Sequence, residues 1–136
     1  MDNFIIAKFD FLLNRGNDLT EFFWPILYWT KNQILKHHQI PLWNNLHLAG
    51  TPLVSDPQAP IFYPLNILAL FLPLDLFYLI SFILHLIFGT IGMYLTSKTF
   101  FRFSKSTSLI LAFLWALTPK FFASLEAGHV GLVYSF

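Results

Sequence analysis

The sequence predicts an all-α integral membrane protein, and three observations carry that prediction. Hydrophobic residues make up 56% of the 136 residues and charged residues only 11%, against about 45–50% and about 25% in soluble domains. Residues 76–96 contain no Asp, Glu, Lys or Arg, and about 20 apolar residues are enough for a helix to cross a ~30 Å hydrocarbon core. Lys98, Arg102 and Lys105 gather in one short connection between that run and a second apolar stretch, as in a cytoplasmic loop. The length allows one domain at most. The 17 Phe and 4 Trp exclude a disordered chain, and a net charge of +1 gives no electrostatic case for nucleic acid. Without cysteine there is no disulfide, thiolate metal site or Cys nucleophile.

Residues 1–16 begin with an apolar run that Lys8 and Asp10 interrupt, so they form neither a signal peptide nor a span. In residues 17–73, Leu19, Phe22, Phe23, Ile26, Leu27, Ile34 and Leu35 recur at helical spacing, with Trp24, Tyr28 and Trp29 beside them. That pattern predicts an amphipathic helix on the membrane surface, its aromatic rings at headgroup depth. Asp18 and Glu21 resemble a capping box with Asp in the Ser/Thr place, and Pro25 kinks the helix. Pro41, Pro52, Pro57, Pro60 and Pro64 forbid a long helix beyond residue 40 and predict an ordered external loop. Residues 61–73, bracketed late by Pro64 and Pro73, predict a short interfacial helix.

The spans follow at about 76–96 and 107–125, with a further helix starting after residue 130. Gly89 and Gly92 suggest close helix contact in the first span, and Pro119 kinks the second near its end. The basic connection, residues 98–106, is placed in the cytoplasm. Residues 17–73 and 126–129 then face the extracytoplasmic side of a multi-pass plasma-membrane protein. Nothing in residues 1–16 accounts for their export, so the chain reads as a fragment of a larger polytopic bundle with a helix upstream.

Asp18 and Glu21 open the surface helix, where negative charge is favoured; Asp18 either caps the helix or serves as a general base. Glu126 and His129, in the string EAGH, return to the same side and are either a polar helix end or partners of Asp18. Trp43, Asn44, Gln58 and Tyr63 lie in a loop denser in rigid residues than a connector needs, which suits either sugar binding or an interfacial belt. His37 and His38 point about 100° apart on a helix, so with His47 they make a poor metal site, and no metal is assigned. His85 sits mid-span, either satisfied by a neighbour or relaying protons. No phosphate loop, HExxH, GxSxG or DxD string occurs, and the sequence assigns no cofactor.

Asp18 followed by Pro25, PLWN at 41–44, Gly50 and Pro52, Pro57-Gln58, FYPLN at 62–66, the helix with His85, Gly89 and Tyr94, and EAGH at 126–129 together resemble the YfhO-type bacterial membrane protein family. These are polytopic proteins related to the GT-C glycosyltransferases. The resemblance covers roughly residues 16–136, without the family's first transmembrane helix and its many later ones. It implies transfer of a sugar from a polyprenyl-phosphate donor to an extracytoplasmic polymer acceptor. Asp18 then matches the acid of the first external loop, and Glu126 and His129 belong to the next; Glu21, Trp43, Asn44, Gln58 and Tyr63 are the candidate substrate-binding residues. A lipid-linked sugar transporter or flippase using His85, and a non-enzymatic membrane protein, are the alternatives.

Overall fold

A computed structural model describes residues 16–45, 49–56 and 62–134; Gln58, His47 and residues 1–15 lie outside these. The chain divides into two compact units, Met1–Tyr78 and Leu79–Phe136.

The first unit opens with a π-helical turn, Leu19–Phe23, which runs directly into α1, Trp24–His37. Pro25 explains the wide turn. Proline has no N–H to give the carbonyl four residues back, and its ring crowds that carbonyl. The Trp24 N–H reaches back to the Leu19 carbonyl instead, an i→i+5 bond that opens the backbone there. Pro25 therefore widens the start of the helix and leaves it continuous.

The capping box expected of Asp18 and Glu21 does not form. Asp18 already has helical dihedrals, and its side chain makes no cap bond. Asn17 does the capping: its Oδ1 accepts from the Thr20 N–H at 3.1 Å, and its carbonyl accepts from Thr20 and Glu21. Gly16, at φ +56°, lies under the Glu21 carboxylate, where a Cβ would stand 2.9 Å from Oε1. At its far end α1 stops on His38, a left-handed residue whose N–H bonds the Ile34 carbonyl, while the Gln39 N–H bonds the Gln33 carbonyl.

Beyond α1 the chain makes a short antiparallel ladder, β1 (Trp43–Asn44) with β2 (Thr51–Pro52), in the register Trp43↔Pro52 and Asn44↔Thr51. The Leu53 N–H extends it to the Leu42 carbonyl at 2.9 Å, and Leu53 is fully buried. Gly50, at φ +113°, permits this closure, because a Cβ there would meet the Trp43 indole at 2.5 Å. A 3-10 helix, Pro64–Leu70, follows. Two side-chain bonds then fasten α1 to what comes next: Lys31 Nζ donates to the Leu72 carbonyl at 2.7 Å, and Trp24 Nε1 donates to Asp75 Oδ1 at 3.0 Å.

α2, Leu74–Thr99, starts in the first unit and continues into the second. The second unit adds α3 (Lys105–Ala116), α4 (Pro119–Glu126) and α5 (Val130–Tyr134). Ser104 caps α3, its Oγ accepting from the Thr107 N–H. Leu117 and Thr118 separate α3 from α4, and Pro119 stands in the first turn of α4, where its missing N–H costs nothing. Among the described residues, α2 and the joined run Lys105–Glu126 are each long and apolar enough to cross a membrane. Their apolar windows are only 28% and 22% buried, unlike a core helix of a soluble protein. Ile83, Ile87, Ile91 and Leu95 recur every four residues as an exposed stripe of α2, and Leu109, Ile110, Phe113 and Leu114 do the same for α3.

Small residues mark the buried side of the hairpin. A Cβ on Gly89 would fall 1.9 Å from the Trp115 ring, whereas Gly92 has nothing within 4 Å. Close packing expected of both glycines thus holds for Gly89 alone. Ser81, Ser97, Ser108 and Ala112 are buried as well. After α4, the Gly128 N–H bonds the Leu125 carbonyl and the His129 N–H bonds the Ser124 carbonyl, with Gly128 at φ +75°. This is a Schellman ending, and it turns the chain into α5.

Candidate functional site

Helix α1 and the 3-10 helix enclose a cleft of about 350 Å³, within the size range of small-ligand sites. Leu27, Ile34, Phe62, Ile67 and Leu70 give it apolar walls, and Thr30, Lys31, Tyr63 and Asn66 supply its polar atoms. Helical spacing builds one wall, since Leu27, Thr30, Lys31 and Ile34 fall on one face. Proline builds the other: Pro64 starts the tight 3-10 turn that presents Phe62, Tyr63 and Asn66 beside it.

The polar groups differ in what they offer a ligand. Thr30 is 4% exposed, and its Oγ1 has no hydrogen-bond partner among the described residues. A buried hydroxyl left this way costs roughly 1–3 kcal/mol, which a ligand acceptor or donor in the cleft would recover. Lys31 gives one ammonium hydrogen to Leu72 and has three to give. Burial raises the Tyr63 phenol above its ordinary value of 10.0, so at neutral pH Tyr63 is a protonated donor.

Of the residues singled out from the sequence, Tyr63 lines this cleft, while Asp18, Glu21, Trp43 and Asn44 do not. Asp18 and Glu21 are exposed on the π-helical turn. Trp43 is exposed at the ladder, and Asn44 is buried there, so it presents little surface to a sugar. Glu126 and His129 belong to the second unit, at the end of α4 and in the Schellman turn; Glu126 is exposed and His129 half-buried. Among the described residues no three His, Cys, Asp or Glu side chains gather as a metal site.

His85 is buried, and its Nδ1–H donates to the Ser81 carbonyl of its own helix at 2.6 Å. The carbonyl can only accept, which fixes the proton on Nδ1. Thr30, Lys31 and Asn66 escaped the sequence reading. The signal for Thr30 and Lys31 was present in the pairing of a hydroxyl and a cation on the apolar face set by Leu27 and Ile34. No protein-family model, curated protein or solved structure matches this chain.

Proposed function

We propose that this chain is part of a multi-pass membrane glycosyltransferase that passes a sugar from a polyprenyl-phosphate donor to an extracytoplasmic acceptor, and that the α1 cleft receives the lipid-linked donor. The observation that carries this is the pairing of an apolar cleft with a half-buried cation at the start of a membrane-length helix. Lys31 is bonded to Leu72 and Trp24 to Asp75, so the cleft is fastened to the first turn of α2. The first turn of a spanning helix lies at the interface, which is the depth of a lipid phosphate. An isoprenoid chain suits the walls of Leu27, Ile34, Ile67 and Leu70, and its phosphate suits Lys31 and the Thr30 hydroxyl.

In the proposed reaction an acceptor hydroxyl oxygen bonds to the anomeric carbon while the bond from that carbon to the phosphate oxygen breaks. The polyprenyl phosphate departs with the electron pair, and Lys31 neutralises its charge. Asp18 takes the proton of the hydroxyl as general base.

The test replaces Asp18 by Asn and, separately, Lys31 by Gln in the protein in its own membrane, and follows labelled sugar from polyprenyl phosphate into surface polymer. Loss of general-base catalysis lowers transfer by roughly 10²–10⁴-fold for Asp18→Asn. Lys31→Gln weakens use of the donor. Transfer at the wild-type rate in Asp18→Asn, at equal protein level, removes Asp18 from the chemistry.

A further inference from the structure

The turn joining α2 to α3 carries a surface that sugar transfer does not use. Phe100, Phe101 and Phe103 are 78%, 57% and 45% exposed, and Lys98, Arg102 and Lys105, all exposed, alternate with them. No acidic residue lies between Asp75 and Glu126, so the three cations have no partner of opposite charge nearby in sequence.

The segment is held in shape. The Phe100 and Phe101 N–H groups both bond the Thr96 carbonyl, and the Phe103 N–H bonds the Ser97 carbonyl. Arg102, at φ +55°, turns the chain between two phenyl rings that stack at 5.7 Å and 14°. Lys98 Nζ donates to the Tyr94 hydroxyl at 3.3 Å and lies 5.7 Å from the centre of that ring. Large rings ordinarily leave water, yet these three are fixed outward with cations between them.

We propose that residues 98–105 form a docking surface for the headgroups of anionic phospholipids. The phenyl rings enter the boundary between headgroups and acyl chains, and Lys98, Arg102 and Lys105 pair with the phosphates. Charge complementarity selects the partner. A neutral bilayer would satisfy the rings and leave the cations unpaired, and an anionic soluble partner would pair the cations and leave the rings in water. An anionic lipid surface answers both, since aromatic rings favour the interface and basic residues at the membrane are drawn to anionic lipid by about 1 kcal/mol each. The proposal rests on the membrane placement of α2 and is independent of the sugar chemistry.

The experiment reconstitutes the protein in phosphatidylcholine vesicles that contain spin-labelled phosphatidylglycerol or spin-labelled phosphatidylcholine, and measures how much of each label the protein immobilises. The wild type prefers the phosphatidylglycerol label roughly fivefold, equivalent to one cation–phosphate contact per bound lipid. One molar salt removes most of that preference. K98Q/R102Q/K105Q brings the ratio to about one, while K98R/K105R keeps it. Equal restriction of both labels by the wild type, a preference that one molar salt leaves unchanged, or an undiminished ratio in the triple variant each overturns the headgroup assignment. Restriction of neither label overturns the membrane placement itself. The salt series uses the unaltered protein, so it decides the question even if the triple variant misfolds.

Discussion

The indole N–H of Trp24 donates to Asp75 Oδ1 across 3.0 Å, joining the first turn of α1 to the first turn of α2. Hydrogen bonds to charged groups contribute about 1.5–3 kcal/mol, and this one is only partly buried, so the low end applies. Trp24→Phe therefore costs roughly 1–2 kcal/mol by that measure, with loss of ring area included. Asp75→Asn, which keeps an acceptor oxygen, costs less than Asp75→Ala. Thermal unfolding in detergent, followed by circular dichroism, reads the ranking; equal melting of Asp75→Asn and Asp75→Ala would detach the bond from stability.

Gly89 and Gly92 give a paired comparison on one helix. A Cβ at Gly89 meets the Trp115 ring at 1.9 Å, and one at Gly92 meets nothing within 4 Å. Gly89→Ala forces the ring or the helix to move and costs about 1–3 kcal/mol, whereas Gly92→Ala is neutral or slightly stabilising. Combining Gly89→Ala with Trp115→Leu recovers part of the loss, a coupling that a double-mutant cycle isolates. Identical effects at the two glycines would contradict the packing.

Gly128 has φ +75° in the turn that ends α4. A Cβ in that left-handed conformation costs roughly 1–2 kcal/mol. Gly128→Ala thus lowers stability by about that much, and Gly128→Asn by less, since Asn tolerates the conformation. Urea titration of the two variants at constant m-value tests the order.

Tyr63 gives the alkaline limb of stability. Its phenol, raised by burial above 10.0 in the folded protein, ionises near the ordinary value once unfolded. Between those two points the unfolded chain holds fewer protons than the folded one, so stability falls as pH climbs past about 10. Below that the phenol contributes no slope. Tyr63→Phe flattens this limb, and subtracting its melting curve from the wild-type curve across pH 8 to 11 removes the lysine background.

Sidedness can be checked with single cysteines, since the chain has none of its own. The proposed topology expects cysteines at positions 18 and 129 to react with an impermeant maleimide from outside the cell, and one at 102 to react only after lysis. If 18 and 129 label from opposite sides, they share no reaction centre.

What could be read ahead of the structure was set by length and composition over many residues. The uncharged run of residues 76–96 lies inside Leu74–Thr99, and Pro119 divides the second apolar stretch, because a missing N–H acts locally whatever surrounds it. What escaped depended on one residue competing with its neighbour, or on segments distant in sequence. Asn17 and Asp18 are both good caps, and their adjacency in sequence does not choose between them. The Trp43↔Pro52 ladder is too short to leave an alternating pattern. The cleft needs Thr30 and Lys31 beside Tyr63 and Asn66, more than thirty positions apart in sequence, and no local periodicity records that.

The widened turn before Pro25 has one last consequence. A single surplus residue in a helix rotates everything ahead of it by about 100°, so the Leu19–Phe23 segment sets the azimuth at which Asp18 leaves the helix axis. Trimming one residue from that segment would let an ordinary spiral close and would swing the carboxylate a quarter turn or more around the barrel of the helix, without altering its chemistry at all.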